Sequence, residues 1–128
     1  MFRLDERSHK AIDEQVRDNM KELIMTDVMK EDEKVPSVRD LSEQLMINPN
    51  TVQKAYKELE REGYIYTVSG KGSFVSGKDT IKKDPERVSR LLSNVQDSYR
   101  GLMMLGYSPE DAAALIQGAV MEIGRAHV

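Results

Sequence analysis

Apolar residues return every three or four positions near the start of the chain: Ile12, Val16, Met20, Leu23 and Ile24 follow one another with charged side chains between them. That period predicts an amphipathic helix beginning at Ser8, a residue type suited to capping, and dissolving into the charged stretch Lys30-Glu31-Asp32-Glu33-Lys34 before Pro36. A second, shorter helix is expected over Val38 to Met46. Ser37 with Asp40 three residues later has the spacing of a capping box, in which each side chain satisfies an orphan amide. Asn48-Pro49-Asn50-Thr51 repeats the start signal, because proline in the first turn loses no hydrogen bond there. The third helix then runs to Glu62, with Gly63 able to take the left-handed cap.

After Gly63 the period shortens to that of strands. Tyr64 to Val68 are mostly β-formers, Ser69-Gly70-Lys71-Gly72 is turn chemistry, and Ser73-Phe74-Val75 makes a second short strand. Two helices joined by a tight turn and followed by a β-hairpin form a winged helix-turn-helix. Gly77 to Asp84 is polar and reads as a linker. Two more amphipathic helices follow: one opens at Pro85 and stops at Gly106, and the other opens at Ser108-Pro109. The fold class expected is α+β and mainly helical. Residues 1–77 form the winged unit and residues 78–128 a short two-helix dimerisation segment.

The third helix carries the candidate chemistry. Val52, Ala55, Tyr56 and Leu59 share the face that packs inward, leaving Asn50, Gln53, Lys54, Lys57 and Arg61 on the other side. Asn and Gln can bond a base edge through two atoms, and Lys neutralises phosphate, so this face suits double-stranded DNA. Glu58, Glu60 and Glu62 gather toward the helix end while the first turn has no acidic residue. The positive end of the helix dipole, with its free amides, is therefore expected to face phosphate. A merely solvated face is the competing explanation of the same stripe.

Charge qualifies this picture without reversing it. The 128 residues sum to a net charge of −3, so any DNA-binding face must be locally basic. The chain has no cysteine, which excludes disulfides, thiolate nucleophiles and cysteine zinc sites and fits a reducing cytoplasm. No apolar run reaches membrane length, and the N-terminus lacks the pattern of a signal peptide. His9 and His127 stand at opposite ends, away from carboxylates at ligand spacing, so neither a metal site nor a histidine base is expected. Gly70-Lys71-Gly72 lacks the spacing of a phosphate loop. No enzyme activity, catalytic residue or cofactor is implied.

Pro36-Ser37-Val38-Arg39-Asp40-Leu41, Asn50-Thr51-Val52 through Ala55-Tyr56, Leu59-Glu60, Glu62-Gly63 and Gly70-Lys71-Gly72-Ser73-Phe74-Val75 together resemble the DNA-binding domain of the GntR family, over about residues 12 to 75. The short tail and Asn48-Pro49-Asn50-Thr51 are similar to its YtrA-type subfamily, in which a small helical segment replaces the large effector domain. The resemblance implies a transcription regulator, by analogy a repressor, that binds an inverted-repeat operator as a homodimer. It implies DNA contacts from Arg39, from Asn50, Thr51, Gln53 and Lys54, and from the wing tip Ser69, Gly70 and Lys71. Ser37, chiefly a cap, and Lys57 join them as candidate phosphate contacts, and a salt bridge to Asp40 or Glu43 is the alternative role for Arg39. Many members carry glycine where Met46 stands and arginine near Pro49 or Gln53, so turn geometry and preferred bases do not transfer.

In the C-terminal segment, Val88, Leu91, Leu92, Val95, Tyr99 and Leu102 make an apolar stripe too long for one partner helix, joined by Leu115 and Ile116 from the last helix. A second copy would cover it. Two short helices hardly enclose a ligand pocket, and the sequence names no small-molecule effector. A winged helix serving only protein interactions is the alternative function. The closing string Ile123-Gly124-Arg125-Ala126-His127-Val128 looks like the translation of a sequencing-adapter oligonucleotide, with a native frayed helix end as the other explanation.

Overall fold

The computed structural model describes residues 2–126, which fall into two compact units meeting between Lys82 and Lys83. His127 and Val128, the end of the string set apart above, lie outside the described residues. The first unit holds α1 (Ile12–Met25), α2 (Val38–Leu45), α3 (Pro49–Glu62), β1 (Ile65–Val68) and β2 (Gly72–Val75). A single 3-10 turn, Lys78–Thr80, closes it. The second holds α4 (Pro85–Met104) and α5 (Pro109–Ala126).

The core of the first unit contains the periodic positions of α1 and α3 read from the sequence, together with residues of α2, the strands and the loop between α1 and α2. Val16, Met20 and Ile24 of α1 meet Leu41 of α2 and Val52, Ala55, Tyr56 and Leu59 of α3, with Ile65 and Val75 closing it from the strands. Phe2 and Leu4, from a segment to which the sequence assigned no element, pack against this core. Two polar residues one helical turn apart on α1 hold that segment in place. Gln15, itself buried, donates to the carbonyls of Asp5 (2.9 Å) and Lys10 (3.0 Å) and accepts the Asp5 amide at 2.7 Å. Asn19 likewise pairs with both backbone groups of Arg3. With the incoming chain held against its side, α1 starts at Ile12 behind Ala11 and has no side-chain cap; Ser8 lies in a turn before it.

Three features near the turns also depart from the sequence expectation. Helix α2 ends at Leu45, because Met46 takes the left-handed conformation (φ 56°, ψ 45°) that reverses the chain into Ile47 and Asn48. Only the Ser37 half of the capping box forms among the described residues: its Oγ accepts the Asp40 amide at 3.0 Å. The polar stretch after Gly77 is partly structured rather than a free linker. Thr80 Oγ1 donates to the carbonyls of Gly77 (2.7 Å) and Gly63 (2.9 Å), and the Lys82 amide donates to Glu62.

The wing is an antiparallel hairpin in which Ile65 opposes Val75 and Val68 opposes Gly72. Residues 32–35 run along its outer edge: the Asp32 amide donates to Val75, the Val75 amide to Glu33, and the Val35 amide to Ser73. Tyr66 stacks on Phe74 at 5.6 Å and donates its hydroxyl to Asp32, a bond that raises the phenol pKa above its ordinary range.

In the second unit, Asp84 caps α4 by accepting the Glu86 amide, and Ser108 accepts the Asp111 amide at the start of α5. The two helices pack on one another, yet Ala112 is the one fully buried apolar residue among those described there. No helix is long and apolar enough to cross a membrane among the described residues.

Candidate nucleic-acid interface

The interface starts from the cap of α3. Asn48 Oδ1 accepts the Asn50 amide at 2.8 Å, its carbonyl accepts the amides of Thr51 and Val52, and Pro49 has no N–H. The amides of Asn50, Thr51 and Val52, expected to be free, are therefore engaged. What remains for an approaching phosphate is the helix dipole, unopposed by any acidic residue in the first turn.

Asn50, Gln53, Lys54 and Lys57 are all exposed on the outer face of α3, while Thr51 is half-buried. With Glu58 and Arg61 these four line one shallow groove along the helix. The side-chain amides of Asn50 and Gln53 make no hydrogen bond among the described residues, so both donor and acceptor atoms are available. Arg61 at the far end is gripped by Glu58 through Nε and a 2.7 Å bond from its terminal nitrogen. That grip holds the Glu58 carboxyl below the usual carboxylate range.

Two flanking elements face the same solvent. Ser37 and the wing tip Ser69, Gly70 and Lys71 line a second depression, floored by Tyr56. Arg39, in the first turn of α2, is exposed and takes up the alternative pairing offered by its sequence: Nε lies 3.3 Å from Glu43. Lys54 also has a carboxylate neighbour, 3.8 Å away, in Asp13 of α1, which lies 3.7 Å from Arg17 as well. No sequence signal links Asp13 to Lys54, since the contact exists only once α1 packs on α3. Lys57 and Lys71 form no ion pair among the described residues.

Tyr56 belongs to the core, and Tyr64 is half-buried under the ammonium of Lys21, 5.0 Å from its ring centre. No cluster of three His, Asp or Glu side chains suited to a metal ion occurs among the described residues. On the second unit, Val88, Leu91, Leu92, Val95 and Leu115 are 43 to 59% exposed, whereas Tyr99, Leu102 and Ile116 are half-buried. Val120, Met121 and Ile123 extend the exposed apolar surface beyond the stripe expected from the sequence.

Comparison with known proteins adds to this geometry. Residues 12–75 match the model for bacterial regulatory proteins of the gntR family. The chain is 51% identical over 76 residues to the HTH-type transcriptional repressor YtrA of Bacillus subtilis, covering 59% of this chain and 58% of that protein. The matched stretch is thus less than two thirds of that repressor. Among solved structures, a transcriptional antiterminator from Listeria monocytogenes EGD-e superposes with a TM-score of 0.74 at 32% identity, covering 96% of this chain and 92% of the other. The AraR DNA-binding domain in complex with operator ORX1 superposes with a TM-score of 0.52 at 29% identity, covering 57% of this chain and 87% of the other.

Proposed function

Since the chain belongs to the GntR family of bacterial regulatory proteins, we propose that it is a cytoplasmic DNA-binding transcription regulator, acting as a repressor on an inverted-repeat operator as a homodimer. The observation that carries this reading is the outer face of α3. Two unpaired amide side chains, Asn50 and Gln53, stand beside Lys54 and Lys57 on a helix whose first turn has no acidic residue. Amides read base edges, lysines hold phosphate, and the dipole favours the anion. Arg39 and Ser37 from α2 and Ser69, Gly70 and Lys71 from the wing would extend the contact to either side. Thr51 would abut the backbone at the start of the helix.

The role of repressor and the use of an operator are carried over from relatives named as a repressor and as an operator complex. Homodimerisation rests on the second unit, whose apolar surface two helices cannot bury alone. A symmetric pair would present two copies of α3 to inverted half-sites.

Selection from a randomised duplex pool with the unmodified protein, followed by footprinting, tests the proposal. A symmetric, protected pair of half-sites is expected. Arg39→Ala, Gln53→Ala and Lys71→Ala are then compared on the selected and a scrambled duplex at two salt concentrations. Gln53→Ala should cost about 1 to 3 kcal/mol on the selected duplex and relax one base position. Lys71→Ala should weaken both duplexes and lower the salt slope by roughly one. Failure to enrich any sequence, or unchanged binding by all three folded variants, would replace this function with that of a protein-interaction module.

A further inference from the structure

Arg39 and Arg61 are both tied to a carboxylate on their own helix, but the two ties differ in which atoms they use. Glu58 grips Arg61 along its side edge, through Nε to both carboxylate oxygens at 3.0 Å and through a terminal nitrogen at 2.7 Å. Glu43 holds Arg39 through Nε alone, at 3.3 Å, and the two terminal nitrogens of Arg39 have no partner among the described residues. End-on presentation of those two nitrogens is the geometry that meets O6 and N7 of guanine. The pair sits on solvent, with side-chain exposures of 86% for Arg39 and 67% for Glu43, so it contributes little to folding.

We infer that Glu43 is a positioning residue for DNA readout: it tethers Arg39 by Nε, leaves the terminal nitrogens free for one guanine, and cancels charge that would otherwise attract any phosphate. This rests on the DNA-reading role proposed above for Arg39. The two effects act in the same direction. A guanidinium held from behind keeps fewer orientations to lose when it meets its base. In loose, sequence-independent binding, where charge supplies nearly all the affinity, the adjacent carboxylate repels the backbone and the pair counts for less than a free arginine. Discrimination therefore rises at one base pair while indiscriminate capture falls, consistent with a chain whose net charge is −3.

The test uses the full chain, the duplex selected by the unmodified protein, a copy with the Arg39-dependent base pair changed, and a scrambled duplex. Anisotropy is read across a salt series for Arg39→Ala, Glu43→Ala and Glu43→Gln. Glu43→Ala should bind the scrambled duplex about two- to threefold more tightly with a steeper salt slope, and lose about two- to threefold in discrimination at that base pair. Glu43→Gln keeps an acceptor for Nε without the charge, so it should match the alanine variant on scrambled DNA yet recover part of the discrimination. If Arg39→Ala loses discrimination while both Glu43 variants behave as the unmodified protein, the inference is overturned and the DNA-reading function stands. If Arg39→Ala binds all three duplexes unchanged, Arg39 reads nothing and the role of Glu43 falls with it.

Discussion

The Tyr56 hydroxyl donates a 2.7 Å hydrogen bond to the Pro36 carbonyl, tying the middle of α3 to the residue that precedes the α2 cap. Burial raises the phenol pKa well above its ordinary value, so the group remains a donor through the neutral range. A folded-state pKa raised above the unfolded one means that this stabilisation is complete below about pH 10 and is lost as pH climbs through the folded value. Tyr56→Phe should lower stability by about 1 to 2 kcal/mol at pH 7. Thermal unfolding reads this as a fall of several degrees; an unchanged melting temperature would show that the tie has no net weight.

Met46 holds a left-handed backbone and is 91% exposed, so it supplies strain without packing. Glycine takes that conformation freely, and its greater unfolded-state entropy offsets only part of the relief. Met46→Gly should stabilise the protein by about 0.5 to 1 kcal/mol. Denaturant titration should show a higher midpoint with an unaltered slope, and a lower midpoint would refute the account.

The opposite holds at Gly63. Its φ is +90°, and a Cβ there would overlap the Thr80 carbonyl oxygen, which is backbone and cannot swing aside. Gly63→Ala is expected to cost more than about 1 kcal/mol, and it should loosen the 78–80 turn along with the end of α3. Hydrogen exchange at the Thr80 and Lys82 amides reports this directly; protection equal to that of the unmodified protein would contradict it.

Removing the amide of Gln15 deletes three hydrogen bonds to the N-terminal segment. Gln15→Ala should free that segment more than it unfolds the core, because Phe2 and Leu4 are only half-buried. Trypsin should then cut at Arg3, Arg7 and Lys10 faster than in the unmodified protein, while sites in α3 stay protected. Equal cleavage rates would mean that Asn19 and the two apolar contacts suffice.

Leu92 is 59% exposed on α4, at the centre of the surface proposed to bind a second copy. Placing a carboxylate there should halve the mass measured by light scattering at micromolar concentration and leave the first unit folded. If Leu92→Asp keeps the mass of the unmodified protein, association does not use this stripe.

What the sequence made legible was local. Val52, Ala55, Tyr56 and Leu59 repeat with the helix period, and Asn48-Pro49 and Gly63 punctuate α3, so its bounds and inward face follow from its own residues. Ser69 to Gly72 likewise announces the wing by turn chemistry alone. Contacts between polar groups distant in sequence left no such trace. Gln15 reaches back ten residues to Asp5, and Lys54 meets Asp13 only across the packed α1–α3 interface. The amides at the start of α3 looked free because a cap's effect on several successive N–H groups shows only in geometry. The turn itself was legible, but that α2 stops one residue before Met46 was not, because methionine carries no signature for positive φ.

The loop segment 32–35 anchors the wing along β2 through backbone hydrogen bonds, while a Cβ at Gly70 would meet no heavy atom within 4 Å. The hairpin is thus a bracket bolted at one end, with a tip held chiefly by its own turn, in which Gly70 keeps a φ of +76°. Over descent, such a tip can exchange Ser69 or Lys71 without any compensating change in the interior, while the backbone of Gly70 favours glycine. Under the DNA-binding role proposed above, duplicated copies could come to favour different DNA targets through Ser69 and Lys71 while inheriting an unaltered core.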